Sequence, residues 1–267
     1  MVFTYCQERI FVILNTALLT VAVNFFDTIT MTAISRFFRS DLTQGIMHLL
    51  FPEKCIFCEL ELVPSENQLC TSCASNLPET HYDLSDEPTE MDRIFWGRTT
   101  VNGTYAHLFF KKQKSSQSVL FSLKYKNATT IGHYFGKRIG ERIRHRSTFS
   151  TIDAIIPVPL HPKKEFIRGY NQSKFIADGI AETFGKPVNS HLVQRVKHNE
   201  TQTKKNRFQR WDNVQGLFYV HPAIKNHNHV LIVDDVITTG STIEAIIASM
   251  RAVHPSLNVS VVTLAIA

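Results

Sequence analysis

The sequence predicts an α/β protein, a parallel sheet flanked by helices, preceded by a small cysteine ribbon and a β-hairpin/helical segment. Three observations predict it. Four of the five cysteines fall at positions 55, 58, 70 and 73. The C-terminal half alternates apolar runs of strand length with amphipathic runs of helix length. One of those apolar runs ends in two adjacent aspartates and a Thr-Thr-Gly-Ser-Thr turn that opens a helix.

The elements follow in order. Ile10 to Phe26 is strongly apolar, but Asn15, Thr16, Thr20 and Asn24 interrupt it, and it falls short of the ~20 residues of a membrane span. Arg9 is offset by Glu8, and no small-x-small site follows before Asp27, so it reads poorly as a secretion signal. Met31 and Met47 both precede the recognisable modules, and residues 1–46 are read as an apolar extension translated from an upstream start. Stable membrane insertion is not expected. Residues 48–80 form the cysteine module, and the polar run His81 to Asp92 reads as a linker. Residues 94–150 form a hood or connecting segment. Within it, 94–110 carries aromatic and β-branched residues around Asn102-Gly103, which predicts a hairpin of two antiparallel strands. Val119, Leu120 and Leu123, then Phe135, Ile139 and Ile143, predict helices over Ser116–Lys124 and Gly132–Arg144. Residues 151–267 form the last domain, with strands at Ala154–Val158, near Leu192–Val196 and at Val230–Val233, and helices at Asn171–Phe184 and Ser241–Val253. That order implies parallel pairing through right-handed crossovers.

Composition narrows the function. At 267 residues and 43% hydrophobic the chain is globular, and its cysteine pattern is not that of a secreted disulfide framework. A formal charge of +6 and a pI near 9.1 point to an anionic partner: a nucleotide, pyrophosphate, nucleic acid or a membrane surface. The basic groups Lys111-Lys112, Arg144-His145-Arg146, Lys163-Lys164 and Lys204-Lys205 also read as solvated loop charge.

The segment from His229 to Met250 carries the clearest chemistry. A strand leads to Asp234 and Asp235, then through Thr238, Thr239, Gly240, Ser241 and Thr242 into a helix. Open α/β sheets bind ligands at the carboxyl ends of strands, and a helix N-terminus with a glycine and hydroxyls offers backbone N–H groups to a phosphate. Paired carboxylates can accept from vicinal hydroxyls, directly or through Mg2+, an oxygen-seeking cation. A capped polar turn would explain one hydroxyl, not this set. Upstream, Pro157-Val158-Pro159 ends an apolar strand; Lys163, Lys164 and Arg168 follow and suit a polyphosphate, while Gly169 permits close backbone approach. Residues 198–218 are polar, basic and long, either a mobile lid or an ordinary surface loop.

The wording Val-Leu-Ile-Val-Asp-Asp-Val-Ile-Thr-Thr-Gly-Ser-Thr resembles the phosphoribosyl-pyrophosphate motif of type I phosphoribosyltransferases. Together with PVPLHPKK, RGYNQS and TQTKKNRFQRWDNV, it is similar in order and wording to the ComF family (ComF/GntX-like), over about residues 48–267. FWGR at 95–98 and LKYKN at 123–127 also look like segments of that family. The resemblance implies a type I phosphoribosyltransferase-like sheet in which Asp234, Asp235 and Thr238 to Thr242 hold the phosphoribosyl group. It makes Pro157, Val158, Pro159, Lys163, Lys164 and Arg168 a pyrophosphate loop, and Thr201, Gln202, Thr203, Arg207 and Arg210 a flexible loop. It implies Mg2+ with the ligand, and displacement of pyrophosphate at the anomeric carbon by an acceptor it does not identify. No single residue is assigned as the acid or base. The family's links to DNA uptake in competence and to gluconate use suggest single-stranded DNA and uptake machinery as partners. A second reading follows: a single-stranded DNA-binding module without catalysis, in which the fold reads phosphates and the ribbon and basic hairpin region grip the strand; against it, base-stacking aromatics are few, Phe166, Tyr170, Phe208 and Trp211 being the only plausible ones.

Cys55-x2-Cys58 and Cys70-x2-Cys73, eleven residues apart, suit four thiolates converging on Zn2+ at about 2.3 Å. Four cysteines leave no open coordination position, so the metal is expected to be structural. Disulfides are the alternative, but a phosphoribosyl donor and no clear secretion signal point to the cytoplasm, where thiols stay reduced. Cys6 is isolated and receives no role.

Overall fold

The computed structural model describes residues 52–110, 115–125, 128–196 and 217–267. The apolar extension and the expected flexible loop lie outside the described residues. Residues 54–267 make one compact unit.

Its frame is a four-stranded parallel sheet, formed by β1 (Gly103–Phe109), β2 (Ala154–Pro157), β5 (His229–Ile237) and β6 (Asn258–Ile266) in the order β1-β6-β5-β2. Strand β6, a mostly apolar run rich in valine with Ser260 and Thr263 inside it, is buried along eight of its nine residues. A strand flanked on both sides and covered on both faces needs such a run. It is not among the elements read from the sequence above. A second, two-stranded sheet pairs β3 (Val193–Arg195) antiparallel to β4 (Phe218–Val220). The short strand expected near 192–196 therefore leaves the parallel sheet and makes a ribbon of its own.

The helices are α1 (Thr71–Ser75), α2 (Glu90–Phe95), α3 (Ser115–Tyr125), α4 (Ala128–Ile143), α5 (Pro162–Arg168), α6 (Gln172–Phe184) and α7 (Ser241–Val253). Alternation along β5 divides the core. Leu231 and Val233 join the cluster of α3, α4, α6 and the cysteine module, while Val230 and Ile232 join that of α2, α7 and the β3–β4 ribbon. Helices α4 and α6 meet through Gly132, Gly136 and Gly140 of α4, four residues apart, and Gly179 of α6. A Cβ on Gly136 would stand 2.1 Å from the Ile176 carbonyl oxygen, and one on Gly179 2.3 Å from that of His133.

The expected hairpin over 94–110 is not formed. Thr89 and Asp92 build a capping box that starts α2, whose buried Met91 and Phe95 face the core. One strand, β1, follows and pairs parallel to β6. Asn102 marks no turn between antiparallel strands; its Oδ1 accepts from the Val259 amide and aligns the two strands.

The run His81 to Asp92 is bound to the rest. Arg142 bridges Asp83 and Glu79, Arg138 takes the other Glu79 oxygen at 2.9 Å, and Arg146 donates to the Tyr82 and Ser85 carbonyls. Among the described residues no helix is long and apolar enough to cross a membrane.

Candidate functional site

Strand β2 pairs with β5 only from Ala154↔Val230 to Pro157↔Val233. Val158 then donates one last bond to the Val233 carbonyl at 2.8 Å, and β2 departs while β5 runs on beside β6 as far as Ile237. The strand is thus longer than the sequence suggests. Asp234 and Asp235 lie not at its end but at the point where its neighbour leaves, which opens a crevice at the carboxyl edge of the sheet.

The first two residues of α6 hold the acidic pair. Ser173 Oγ donates to Asp234 Oδ1 at 3.1 Å, and Gln172 Nε2 to Asp235 Oδ2 at 3.0 Å. The Asp235 amide also donates to Asp234 Oδ1, at 2.8 Å. Asn171 fixes the start of α6: its Oδ1 caps the Ser173 amide, and its Nδ2 donates to the Val158 carbonyl at 2.9 Å. Burial, then the charge of Asp235 beside it, pushes the Asp234 carboxyl up to about 8.

Beyond the pair, Thr238 and Thr239 are exposed, and Gly240 takes φ +73° as N-cap of α7. A left-handed φ favours glycine, and here a Cβ would also stand 2.6 Å from Ile94 Cγ2. No side chain caps α7. Its first turn, with Ser241 and Thr242, borders a concavity of about 50 Å3 that Asp234 and residues 236–243 line. Arg98 braces this loop from outside, donating to the Thr239 carbonyl and to Ser241 Oγ and pairing with Glu244.

Pro157, Pro159 and Pro162 line a larger cavity of about 320 Å3 together with Asn171, Lys174 and Arg195. Lys163 and Arg168 do not lie in a loop, as expected, but on α5, capped by His161 and ended by left-handed Gly169. The Lys164 side chain lies outside the described residues, as do Thr201, Gln202, Thr203, Arg207 and Arg210. The segment that carries those five leaves and rejoins the β3–β4 ribbon, where the Val196 amide donates to the Leu217 carbonyl at 3.0 Å.

The four thiols of Cys55, Cys58, Cys70 and Cys73 lie within 4.8 Å of one another, with Cys58 Sγ and Cys70 Sγ 3.6 Å apart. Tetrahedral bonds of about 2.3 Å to one ion would set the sulfurs about 3.8 Å apart. All four cysteines are free. Against the cost of its burial, backbone amides of Cys58, Cys70 and Phe57 hold the Cys55 thiol down at about 6; burial and the neighbouring sulfurs push Cys73 up. Four sulfurs this close resist ionising together, and a soft cation relieves that repulsion. The donor set fits a closed metal site such as one for zinc.

A phosphoribosyl transferase domain model matches residues 175–266. Competence protein F of Haemophilus influenzae is 27% identical over 75% of this chain and 92% of its own length. The DNA utilization protein YhgH of Salmonella typhimurium is 24% identical, over 74% and 90%. Competence protein ComFC of Bacillus subtilis is 23% identical, over 77% and 82%. These relatives, with the matched domain, support the resemblance to the ComF family read from the sequence.

The chain carries a phosphoribosyltransferase domain behind a cysteine cluster able to hold a metal. Three contributors to its site receive no role in the sequence reading. Gln172 and Ser173 sit in RGYNQS and Arg98 in FWGR, segments singled out only by resemblance. Their partners lie 63, 61 and 141 or more positions away, so no local pattern reports them.

Proposed function

We propose that this protein binds phosphoribosyl pyrophosphate with Mg2+ in the crevice beside β5 and transfers the phosphoribosyl group to an acceptor, in the handling of DNA taken up by the cell. One observation carries the reading. A single strand–turn–helix offers two braced carboxylates and, a few residues on, an uncapped helix N-terminus. Carboxylates suit ribose hydroxyls and the amides suit the 5-phosphate, so the two halves match the two ends of one ligand. The cavity lined by Pro157 and Pro159 suits the pyrophosphate, with Lys163, Lys164 and Arg168 following it. The expected loop of Thr201, Gln202, Thr203, Arg207 and Arg210 would cover the reacting carbon. The context of DNA uptake comes from the names of the competence relatives.

Asp234 and Asp235 would hold Mg2+, which supplies charge neutralisation of the leaving pyrophosphate. The chain's own residues do the rest. The α7 amides and hydroxyls fix the 5-phosphate, and Ser173 and Gln172 hold the carboxylates in place. Zn2+ would sit in the cysteine tetrad as a structural ion, in a protein of the cytoplasm. Residues 48–80, 94–150 and 151–267 then serve as ribbon, hood and transferase domain.

The test is release of pyrophosphate from phosphoribosyl pyrophosphate, with and without Mg2+, across pH. Asp234 has a folded-state pKa raised above its ordinary value. Its contribution to folding stability is therefore present at low pH and lost as the pH rises through about 8. Ligation of the metal has the opposite sign, because the proton competes with it. Mg2+-dependent binding is expected to strengthen as the pH approaches about 8, by at most about tenfold per unit for one proton, and then to level off. Release that ignores both Mg2+ and pH would contradict the reading.

A second reading, a single-stranded DNA-binding protein without turnover, is favoured by Phe166, which is 90% exposed on α5 beside its basic residues. Its mark would be DNA affinity that falls steeply with salt and is unaffected by phosphoribosyl pyrophosphate.

A further inference from the structure

Lys124 belongs to the LKYKN segment, near the C-terminal end of α3. Its Nζ stands 3.3 Å from Asp235 Oδ2, the oxygen that also accepts from Gln172. The pair is shielded, with the lysine side chain 26% and the aspartate side chain 9% exposed. The end of α3 is also tied to the neighbouring loop, because Tyr170 Oη donates to the Leu123 carbonyl at 3.4 Å. Tyr170 follows Arg168 and Gly169, so the end of α3 that carries Lys124 touches both the acidic pair and the segment assigned to pyrophosphate. A further sign lies on Gln172. Its Nε2 holds Asp235, while its Oε1 is buried with no partner among the described residues. A buried acceptor left over beside two carboxylates marks a place for a cation or donor.

We propose that Lys124 is the resident counter-ion of the acidic pair: its ammonium holds Asp235 in the free protein and passes to the pyrophosphate group when a divalent cation and phosphoribosyl pyrophosphate bind together. The proposal rests on the functional reading above and adds to it a coupling between metal and ligand. A divalent cation arriving alone must displace the ammonium from Asp235 and leave it half-buried without a partner, which is costly. A cation arriving with pyrophosphate supplies the ammonium with a new anion at the moment it loses the old one. Each then raises the affinity of the other, and the linkage is reciprocal. No bond is made or broken in this exchange.

The experiment uses the full-length protein, Mn2+ as a spectroscopic probe of the free site, and calorimetry of phosphoribosyl pyrophosphate with Mg2+. Mn2+ bound by the wild type but not by Asp234→Asn/Asp235→Asn counts the ion at the acidic pair and leaves out the cysteine cluster. Lys124→Met is expected to bind Mn2+ alone about tenfold more tightly than the wild type, and phosphoribosyl pyrophosphate with Mg2+ about tenfold more weakly. Lys124→Arg, which keeps the charge, is expected to return both values toward those of the wild type. A merely structural lysine would give loss on both axes, seen also as a lower melting temperature. Unchanged Mn2+ affinity in Lys124→Met, or tighter binding of both ligands, would overturn the exchange. A wild type that binds no phosphoribosyl pyrophosphate would defeat the functional reading, and would overturn the exchange with it.

Discussion

Gly136→Ala is expected to lower the stability of the protein by about 3 kcal/mol, at the upper end of the usual cost of overpacking. In a solvent-exposed helix the same change would gain about 1 kcal/mol from helix propensity. The sign reverses here because the added methyl would stand 2.1 Å from the Ile176 carbonyl oxygen and 3.0 Å from Gly179 Cα, both backbone atoms of α6. Backbone cannot rotate away, so α4 and α6 must separate, and the buried Phe135, Ile139, Ile176 and Ile180 lose contact. Gly140→Ala is the milder comparison. Its methyl would stand 2.6 Å from Thr183 Oγ1 and 2.8 Å from Thr183 Cβ; a rotamer change moves the hydroxyl, and the Cβ contact asks for a small backbone shift. Thermal melting ranks them: at 2–4 °C per kcal/mol for a domain of this size, Gly136→Ala should fall by about 6–12 °C and Gly140→Ala by less. Equal melting temperatures would mean that the helices are not this close. The α6 helix opens on Gln172 and Ser173, so its displacement should also weaken ligand binding.

Removing the metal is expected to release the cysteine module while the sheet stays folded. The module's buried apolar residues are few, with Leu62 at 3% and Leu69 at 3% exposure beside Cys55, too little core for independent stability. The ion would supply the remainder, as binding free energy that is also folding free energy. Anchors lie just after the module: Glu79 between Arg138 and Arg142, and the Thr80 amide donating to the His107 carbonyl at 3.0 Å. The opening should therefore stop near residue 79. Limited proteolysis after chelation should cut within residues 54–78 and spare β1 onward, and mass spectrometry reads the sites. Cys58→Ser should give the same pattern without chelator. An unchanged digest, with the metal shown to be gone, would contradict a structural role.

What could be read from the sequence was contiguous. The strand, the aspartates, the turn and α7 occupy one stretch, and the cysteine spacing reports a cluster because two short turns set both pairs. Helix α7 runs over Ser241–Val253, as its spacing predicts. The bracing of the site could not be read this way, since Arg98, Lys124 and Gln172 reach partners on distant segments. The hairpin failed for a different reason. Ile94, Phe95 and Trp96 look like strand residues, yet Thr89 and Asp92 three positions apart form a capping box, a helix signal present in the same text. Glycines at 132, 136 and 140 were equally visible as a four-residue ridge, and only the contact with α6 gives them meaning. Aromatic and β-branched content reports burial; capping and spacing report which element is buried.

The acidic pair and the α7 N-terminus are proposed to form one site for phosphoribosyl pyrophosphate. Calorimetry with that ligand and Mg2+, on the wild type and on Asp234→Asn/Asp235→Asn, tests it most directly. The expected result is saturable binding by the wild type and a loss of at least about a hundredfold in the variant, roughly 2.7 kcal/mol, with the variant still folded and melting cooperatively. No heat with the wild type, or equal affinity in both proteins, would contradict it.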